Sequence, residues 1–315
     1  MLPQHDAMPV AHDHSAAVPF TLRPFQNTDA SAVARLVTEG VRGHWTYTEA
    51  QFRESQDPAR RRLVAVRGDQ IIATAHLYPF DPATPDALRL DVAGDRVALT
   101  PLYLRLLADL PAGFSRLLGV TREDFTEQME LFQTAGFRNA WQSWGAHLPL
   151  STFDFERFWP LEERLFLQGY EAEALDPEVP ESDWEVMAAL YAQGVADAPR
   201  NPTTQMRKLS RNELRDVIRR EERAFVVRLR GEIVTLTRLK PRGQEVDSEM
   251  TVTHPAHRAR GLATLVKADA LQWAREQGFR TAGTGGTVLN LPMLRVNTRL
   301  GYQVERMWIT WERTV

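Results

Sequence analysis

The 315-residue sequence contains no cysteine. This absence excludes disulfide bonds, cysteine-ligated metal sites and a thiolate nucleophile. The sequence also lacks an apolar run near the ~20 residues that a membrane-spanning helix requires. Its N-terminal residues do not form a basic segment followed by an apolar stretch and a cleavage site, as a secretory signal would. We therefore expect a chain without membrane contact, located in the cytoplasm.

An excess of charge of either sign is also missing. The 38 Lys and Arg residues are nearly balanced by 41 Asp and Glu residues, which gives a formal net charge of −3. No basic stripe is available to neutralise the phosphates of a nucleic acid, so we expect no nucleic-acid partner. The length, with 43% hydrophobic residues, is typical of a globular enzyme with two domains.

Landmarks of the sequence recur with a period of about 165 residues, which indicates domain duplication. A predicted hairpin at 63–73 has a counterpart at 226–235. A helix end with a Gly-aromatic pair at 131–137 has a counterpart at 296–302. Both pairs combine strand-like and helix-like segments, so the repeat predicts two similar α/β domains.

The domain boundaries follow from this repeat. Residues 1–18 are rich in Pro, Ala, Asp and His and show no hydrophobic periodicity, so we predict a flexible leader there. We place the first domain at 19–155 and the second at 165–315. One large irregular α/β domain is the alternative.

The second half contains a strand, a basic turn and a helix in succession, over residues 251–264. In the turn, Arg258, Gly261 and Ala263 are spaced so that several backbone N–H groups are exposed at the start of the helix. Oriented amides, the helix dipole and guanidinium groups together bind anions such as pyrophosphate. The strand before the turn is predicted from an alternating set of residues: Val246, Ser248, Met250 and Val252.

The corresponding turn of the first half is acidic. Asp95 falls about where the second half has Arg258, and Ala98 falls about where it has Gly261. Because a carboxylate repels pyrophosphate, we predict that the first domain does not bind a nucleotide. It would serve as a scaffold or as a wall of the substrate cleft.

A further segment of the second half, 290–302, ends in the sequence Leu300-Gly301-Tyr302. Over 247–304 the chain resembles the GCN5-related N-acetyltransferases (GNAT superfamily), whose pyrophosphate loop has the pattern Arg/Gln-x-x-Gly-x-Gly/Ala and whose final helix ends in a Leu-Gly-Phe/Tyr turn. In arrangement it is similar to the tandem mycothiol synthases, in which one half is degenerate.

The resemblance implies an α/β (α+β) fold of two tandem GNAT-like domains. Each would be a mixed, mostly antiparallel, twisted sheet flanked by helices, with a splayed parallel strand pair in the second domain. The resemblance also implies acetyl-CoA as a cosubstrate and no metal. The residues expected to contact acetyl-CoA are Thr251, Val252, Thr253, Arg258, Ala259, Arg260, Gly261, Leu262, Ala263, Thr264, Asn290 and Asn297.

Transfer to an amine requires a base, because a typical amine is protonated near neutral pH. Asp247 and Glu249 are the candidates, since residues two apart on a strand point to one face. They would also attract a cationic amine. The tyrosine that serves many relatives as general acid is replaced by Asn297, whose amide cannot supply a proton in that way.

We therefore predict an N-acetyltransferase that moves an acetyl group from acetyl-CoA to the primary amine of a small molecule by direct attack. A non-catalytic acyl-CoA-binding sensor or interaction module is the alternative. A third possibility is an aminoacyl-tRNA donor, which the absent basic stripe disfavours. The identity of the amine stays open, as does the choice between a monomer with pseudo-dimeric halves and a homodimer.

Overall fold

The computed structural model describes residues 19–53, 57, 59–79, 84–199 and 208–315. The leader predicted for residues 1–18 lies outside the described residues. The chain forms two compact units that are not consecutive in sequence. The first extends to Leu117 and includes Gln133–Ala135 and Thr314–Val315, and the second comprises Leu118–Phe132 and Gly136–Arg313.

The first unit contains four strands in the antiparallel order β1-β2-β3-β4. Gly68, with a φ of 58°, turns β2 into β3 and so forms the hairpin predicted at 63–73. The small core between α1 and the sheet includes Val33, Phe52 and Val64. The elements are β1 (Thr21–Pro24), α1 (Ala30–Gly40), β2 (Arg61–Arg67), β3 (Gln70–Pro79), β4 (Ala87–Gly94) and α2 (Arg96–Ala108).

The second unit contains a longer sheet with the strand order β5-β13-β6-β11-β10-β9-β8-β7, and β12 also pairs with β6. Its strands are β5 (Arg116–Arg122), β6 (Arg138–Pro149), β7 (Tyr170–Ala174), β8 (Arg223–Leu229), β9 (Glu232–Arg242), β10 (Glu245–Thr253), β11 (Thr281–Thr287), β12 (Gln303–Val304) and β13 (Trp308–Thr314). Its helices are α3 (Thr126–Thr134), α4 (Trp159–Phe166), α5 (Glu181–Asp197), α6 (Arg211–Arg220), α7 (Leu262–Glu276) and α8 (Leu291–Leu300).

Strand β6 lies between β11 and β13, although it precedes both by more than a hundred residues in the sequence. It pairs antiparallel with β11 from Ser143 to Pro149. A strand of the first half of the sequence is therefore built into the sheet of the second half. The consecutive domains 19–155 and 165–315 stay a prediction from the repeat, whereas packing groups the residues differently.

Both faces of the longer sheet are covered where it is widest. On β8, Phe225 and Val227 pack into a core with α7, while Ala224 and Val226 pack into a core with α5. This alternation is the two-residue period of a strand that is buried on both faces. The fold is thus a mixed, mostly antiparallel sheet flanked by helices, which confirms the expected fold class.

None of the described helices is long and apolar enough to cross a membrane. Within the same residues, no three His, Asp or Glu side chains are grouped so that they could hold a metal ion.

Candidate functional site

The site begins where two parallel strands separate. Strands β10 and β11 pair only from Glu245 to Asp247, opposite Thr281 to Gly283. Beyond these residues β11 continues to pair with β6, and β10 continues to pair with β9 as far as Thr253. The edge of β10 that faces β11 is therefore left without a strand partner over Ser248–Thr253. Unpaired strand edges bind extended chains through backbone hydrogen bonds.

An irregularity in β10 changes the faces to which its residues point. The register with β9 shifts between Ser248 and Thr251. Before the shift, Ser248 accepts a hydrogen bond from Lys267 of α7; after it, Met250 and Val252 pack with α5. The simple alternation expected for Val246, Ser248, Met250 and Val252 is therefore wrong, because a bulge moves the later residues to the opposite face.

The strand leads into an uncapped helix. Gly261 is the N-cap of α7 in the left-handed conformation, with a φ of 100°, and no side chain caps the helix there. The first N–H groups of a helix have no partner within it, so those of Leu262, Ala263 and Thr264 are available to a ligand. The φ of 100° favours glycine, and a Cβ at position 261 would also lie 2.8 Å from Leu161 Cδ1 of α4, so that this side chain would have to shift.

Basic groups surround this turn. Arg258 donates from Nε to the carbonyl of Thr253 (3.0 Å) and forms an ion pair with Asp197, and this carboxylate at the end of α5 holds its guanidinium. Arg164 of α4 donates to the carbonyl of Arg260 (3.1 Å), and its side chain was not anticipated from the sequence. Burial, and then the nearby His254, lower the pKa of His257.

The turn is anchored from one side by a hydrogen bond between His257 Nδ1 and the hydroxyl of Tyr170 on β7 (3.0 Å). Between Thr253 and this anchor, Pro255–His257 form a single turn of 3-10 helix. Ala259, with a φ of 60°, then joins Gly261 in the left-handed region. A turn with left-handed residues that leads into a helix N-terminus is typical of anion sites.

An open cleft of about 600 Å³ lies beside the separated strands. Its floor includes Gly283 and Gly285 of β11, which have no side chains to fill it. Four carboxylates line the cleft: Glu245, Asp247, Glu249 and Glu305. The imidazole of His147 also lines it. The cleft is acidic and therefore attracts cations.

The two predicted bases both line this cleft, but their surroundings differ. Asp247 pairs with Arg242 through Oδ2 (2.5 Å), and a Cβ on Gly283 would lie 2.5 Å from its Oδ1. No hydrogen bond or ion pair to a described residue holds the exposed carboxylate of Glu249. Among the described residues, no side chain thus holds the carboxylate of Glu249 in place, whereas Asp247 is fixed against the glycine strand.

The opposite wall carries a pair that was missed in the sequence. His147 of β6 lies 3.3 Å, through Nδ1, from Oε1 of Glu305. Asp247 is opposite Gly283, and Gly283 is opposite His147, so the two side chains flank a bare glycine. No sequence signal connects His147 to Asp247, because strand pairing alone brings β6 beside β11.

A buried amine lies behind the strand. Lys267 of α7 is 2% exposed and donates to Ser248 Oγ at 2.8 Å. Burial lowers the pKa of Lys267 to about 7. Its Nζ also lies 5.6 Å from the ring centroid of Tyr302. The side chain therefore links α7 to the point where β10 leaves β11.

The side chains of the other residues predicted to contact acetyl-CoA are capping, buried or bonded to a neighbouring strand. Asn290 is the N-cap of α8 and accepts from the N–H of Met293 (3.4 Å). Asn297 is fully buried, and neither polar atom of its amide has a hydrogen-bond partner among the described residues. Thr251 and Thr253 bond across to Thr237 and Thr235 of β9. Their backbone, rather than their hydroxyls, is therefore what faces the gap.

Known proteins are similar to this chain in sequence and fold. Residues 188–302 match the model of the acetyltransferase (GNAT) family. A GCN5-related N-acetyltransferase from Sphaerobacter thermophilus has a TM-score of 0.62 at 16% identity, over 94% of this chain and 95% of the other. A tandem GNAT protein from the clavulanic acid biosynthesis pathway has a TM-score of 0.55 at 16% identity, over 94% and 98%. No curated protein matches the sequence significantly.

Proposed function

We propose that this chain, whose residues 188–302 match the acetyltransferase (GNAT) family model, moves an acetyl group from acetyl-CoA to the primary amine of a small molecule by direct attack. The observation that carries the proposal is the continuous path from the unpaired edge of β10 to the uncapped N-terminus of α7. A ligand with an extended arm and a pyrophosphate at one end has the shape and charge to bind both, with the arm along the edge of β10 and the pyrophosphate at the start of α7.

The residues present fit coenzyme A. The N–H groups at the start of α7 would bind the pyrophosphate, with Arg260 and Arg164 beside them. Arg258 would contribute after its ion pair with Asp197 opens, or it would hold the turn in place. The backbone of Thr251–Thr253 would pair with the pantetheine arm. When bound, acetyl-CoA supplies an activated thioester carbonyl.

We assign the base to Glu249. Its carboxylate lies in the cleft and forms no hydrogen bond or ion pair with a described residue, whereas Asp247 is engaged by Arg242. Glu249 would accept a proton from the substrate ammonium, directly or through a water, and leave a neutral amine. Asp247 and Glu305 would hold a cationic substrate over the glycine floor. A backbone N–H near the bulge would stabilise the oxyanion.

No proton donor for the departing thiolate stands where many relatives have tyrosine. Asn297 occupies that position and is buried. The thiolate would then leave as such or take a proton from water. The same observation motivates the alternative, in which the chain binds acyl-CoA without turnover.

The experiment is a thiol-release assay with acetyl-CoA and a panel of amines: a polyamine, an amino sugar, an aminoglycoside and an amino acid. Because the chain has no cysteine, a thiol reagent reports only the coenzyme A that is released. We expect turnover that is largest for polycationic amines, and a loss of roughly 10²–10⁴-fold in kcat for Glu249→Gln.

Asp247→Asn is the matched control, and we expect it to raise KM for a cationic amine more than it lowers kcat. Stabilisation of the fold by acetyl-CoA without turnover on any amine would favour the sensor. No stabilisation by acetyl-CoA, which at ~100 times its Kd should add about 2.7 kcal/mol, would contradict the proposal as a whole.

A further inference from the structure

The first unit contains a second cavity, of about 210 Å³. It lies between α1, the 3-10 turn Glu49–Phe52 and strands β2, β3 and β4. Part of its wall is apolar, formed by Val33, Val37, Phe52 and Val92. None of these residues belongs to the cleft of the second unit, so the proposed acetyl transfer makes no use of them.

The polar part of the wall is dominated by Arg62. Its Nη1 donates to the carbonyl of Phe52 at 2.5 Å, and its Nη2 lies 3.2 Å from Nδ1 of His76. Its guanidinium carbon is 4.6 Å and 4.9 Å from the ring centroids of Phe25 and Phe52. These contacts fix the guanidinium plane but bring no negative charge to it.

Arg60 adds a second cation, with its guanidinium carbon 5.5 Å from the ring centroid of Tyr78. The Nε atoms of Arg60 and Arg62 are both buried, and neither has a hydrogen-bond partner among the residues that the structure describes. In the described chain, neither arginine forms an ion pair with a carboxylate. Buried charges are normally paired, because an unpaired one is costly to remove from water.

The carboxylate of Asp91 also lines the cavity, but it forms no ion pair with Arg60 or Arg62. Asp91 accepts from the hydroxyl of Tyr78 (2.6 Å) and from Nε of Arg89 (2.8 Å). Its charge is therefore already balanced by Arg89. Burial, and then Arg60, lower the pKa of Arg62 to about 10, as expected for a cation near another cation.

His76 completes the wall as a neutral group. Burial, and then the nearby Arg62, lower the pKa of His76 to about 2. Its uncharged ring carries one N–H, so it is able to donate to an anion without adding charge. The cavity thus combines two cations that form no ion pair with a carboxylate of the described residues, a neutral donor and an apolar surface.

We propose that this cavity binds a small organic carboxylate, whose carboxylate group pairs with Arg60 and Arg62 and whose apolar part packs against Val33, Val37 and Phe52. Planar guanidinium groups match the geometry of a carboxylate. The cavity is below the range of about 300–1,000 Å³ that holds drug-sized ligands, so the ligand is of metabolite size. The apolar wall distinguishes such a ligand from an inorganic anion.

The test is a ¹⁹F NMR titration of the whole protein with 4-fluorobenzoate. We expect line broadening and saturation for the wild type, and none for 4-fluorobenzamide, which has the same shape without the charge. Inorganic phosphate, added as a competitor, should displace the probe poorly. Equal binding of the amide, or displacement by phosphate as effective as by unlabelled benzoate, would overturn the assignment.

Substitutions of arginine test whether 4-fluorobenzoate binds in this cavity. Arg60→Gln, at the half-buried margin of the cavity, should weaken 4-fluorobenzoate binding by roughly tenfold or more. Arg61→Gln is the matched control, because Arg61 is exposed and points to the other face of β2. Far-UV circular dichroism would check that both variants fold. An affinity unchanged in Arg60→Gln, or lost equally in Arg61→Gln, would exclude this cavity as the site.

Discussion

The two units use the start of a helix after a strand in opposite ways. In the first unit, Asp95 is the N-cap of α2, accepts from the N–H of Val97 and pairs with Arg67 at 3.0 Å. In the second unit the N-cap of α7 is Gly261, which offers no side chain. As N-caps, Asp95 corresponds to Gly261, not to Arg258 as the sequence comparison placed it. One helix satisfies its positive end with its own carboxylate, and the other leaves that end to a ligand.

This difference shows that a helix after a strand can either fill its positive end with its own carboxylate or leave it open. In the first unit the strand β4 leads into α2, and the carboxylate of Asp95 bonds to the start of that helix. The predicted inability of 19–155 to hold a nucleotide thus has a direct physical basis, although it stays a prediction. The tests below aim to convert each turn toward the other, or to measure what lies behind it.

The largest effect is expected from Ala263→Glu. The new carboxylate would place a negative charge at the open end of α7, as Asp95 does for α2. We expect acetyl-CoA binding to weaken by at least roughly 100-fold, because charge repulsion adds to the loss of space. The helix should be retained, since acidic residues favour a first turn. Calorimetric titration with acetyl-CoA measures the affinity.

Ala263→Gln is the matched control for Ala263→Glu, with the same size and no charge, and should bind more tightly than the glutamate variant. If both variants bind acetyl-CoA as the wild type does, the start of α7 is not the anion site. Gly261 is a poorer probe, because any side chain there meets Leu161 and a strained φ.

The second effect concerns the lysine behind the open turn. The pKa of Lys267 is about 7 in the native state and near the ordinary 10.5 when unfolded. At a pH between these two pKa values, Lys267 is protonated in the unfolded chain and neutral in the native chain. The contribution of Lys267 to the free energy of unfolding therefore rises with pH in this range. The slope is about 1.4 kcal/mol per pH unit. Lys267→Met should abolish this part of the pH dependence.

Urea unfolding at about pH 8 and about pH 9.5 measures this pH dependence. We expect the free energy of unfolding of the wild type to rise by ~1–2 kcal/mol more than that of Lys267→Met over this interval. The exposed Lys208 provides the control, since Lys208→Met should leave the slope unchanged. Equal slopes in the wild type and Lys267→Met would mean that the amine stays protonated in the folded chain.

The smallest effect is expected from Asp95→Ala. It removes the cap of α2 and a half-exposed ion pair, so we expect the free energy of unfolding to fall by about 1 kcal/mol. Acetyl-CoA affinity should not change. Denaturation and calorimetric titration of the same sample check both points. A loss of acetyl-CoA affinity in this variant would show that the first unit takes part in nucleotide binding.

The open turn was predictable from local sequence, because an Arg-x-x-Gly-x-Ala spacing between a strand and a helix describes backbone geometry directly. The hairpins at 63–73 and 226–235 were predictable for the same reason, since Gly68 and Gly231 mark their turns. The end of α8 also follows from one residue, Gly301, which adopts a φ of 98°.

The rest depends on tertiary pairing, which a sequence does not mark. The bulge after Ser248 is not announced by Gly or Pro, so the sequence does not show that Met250 and Val252 lie on the opposite face from Ser248. His147 enters the cleft because β6 pairs with β11 across more than a hundred residues of chain. Lys267 was hidden for a different reason: a lysine on a helix is usually exposed, and only packing reveals its burial.

The position of β13 between β5 and β6 also governs the time course of folding. During synthesis, β5 and β6 emerge early, but the strand that separates them emerges after every other strand of the second unit. Until then β6 presents an open edge, and its contacts with β13 close a loop of more than a hundred and fifty residues. Such long-range pairing is slow and leaves intermediates prone to association. We therefore expect efficient folding of this chain to require that this edge of β6 is protected until translation reaches Trp308–Thr314.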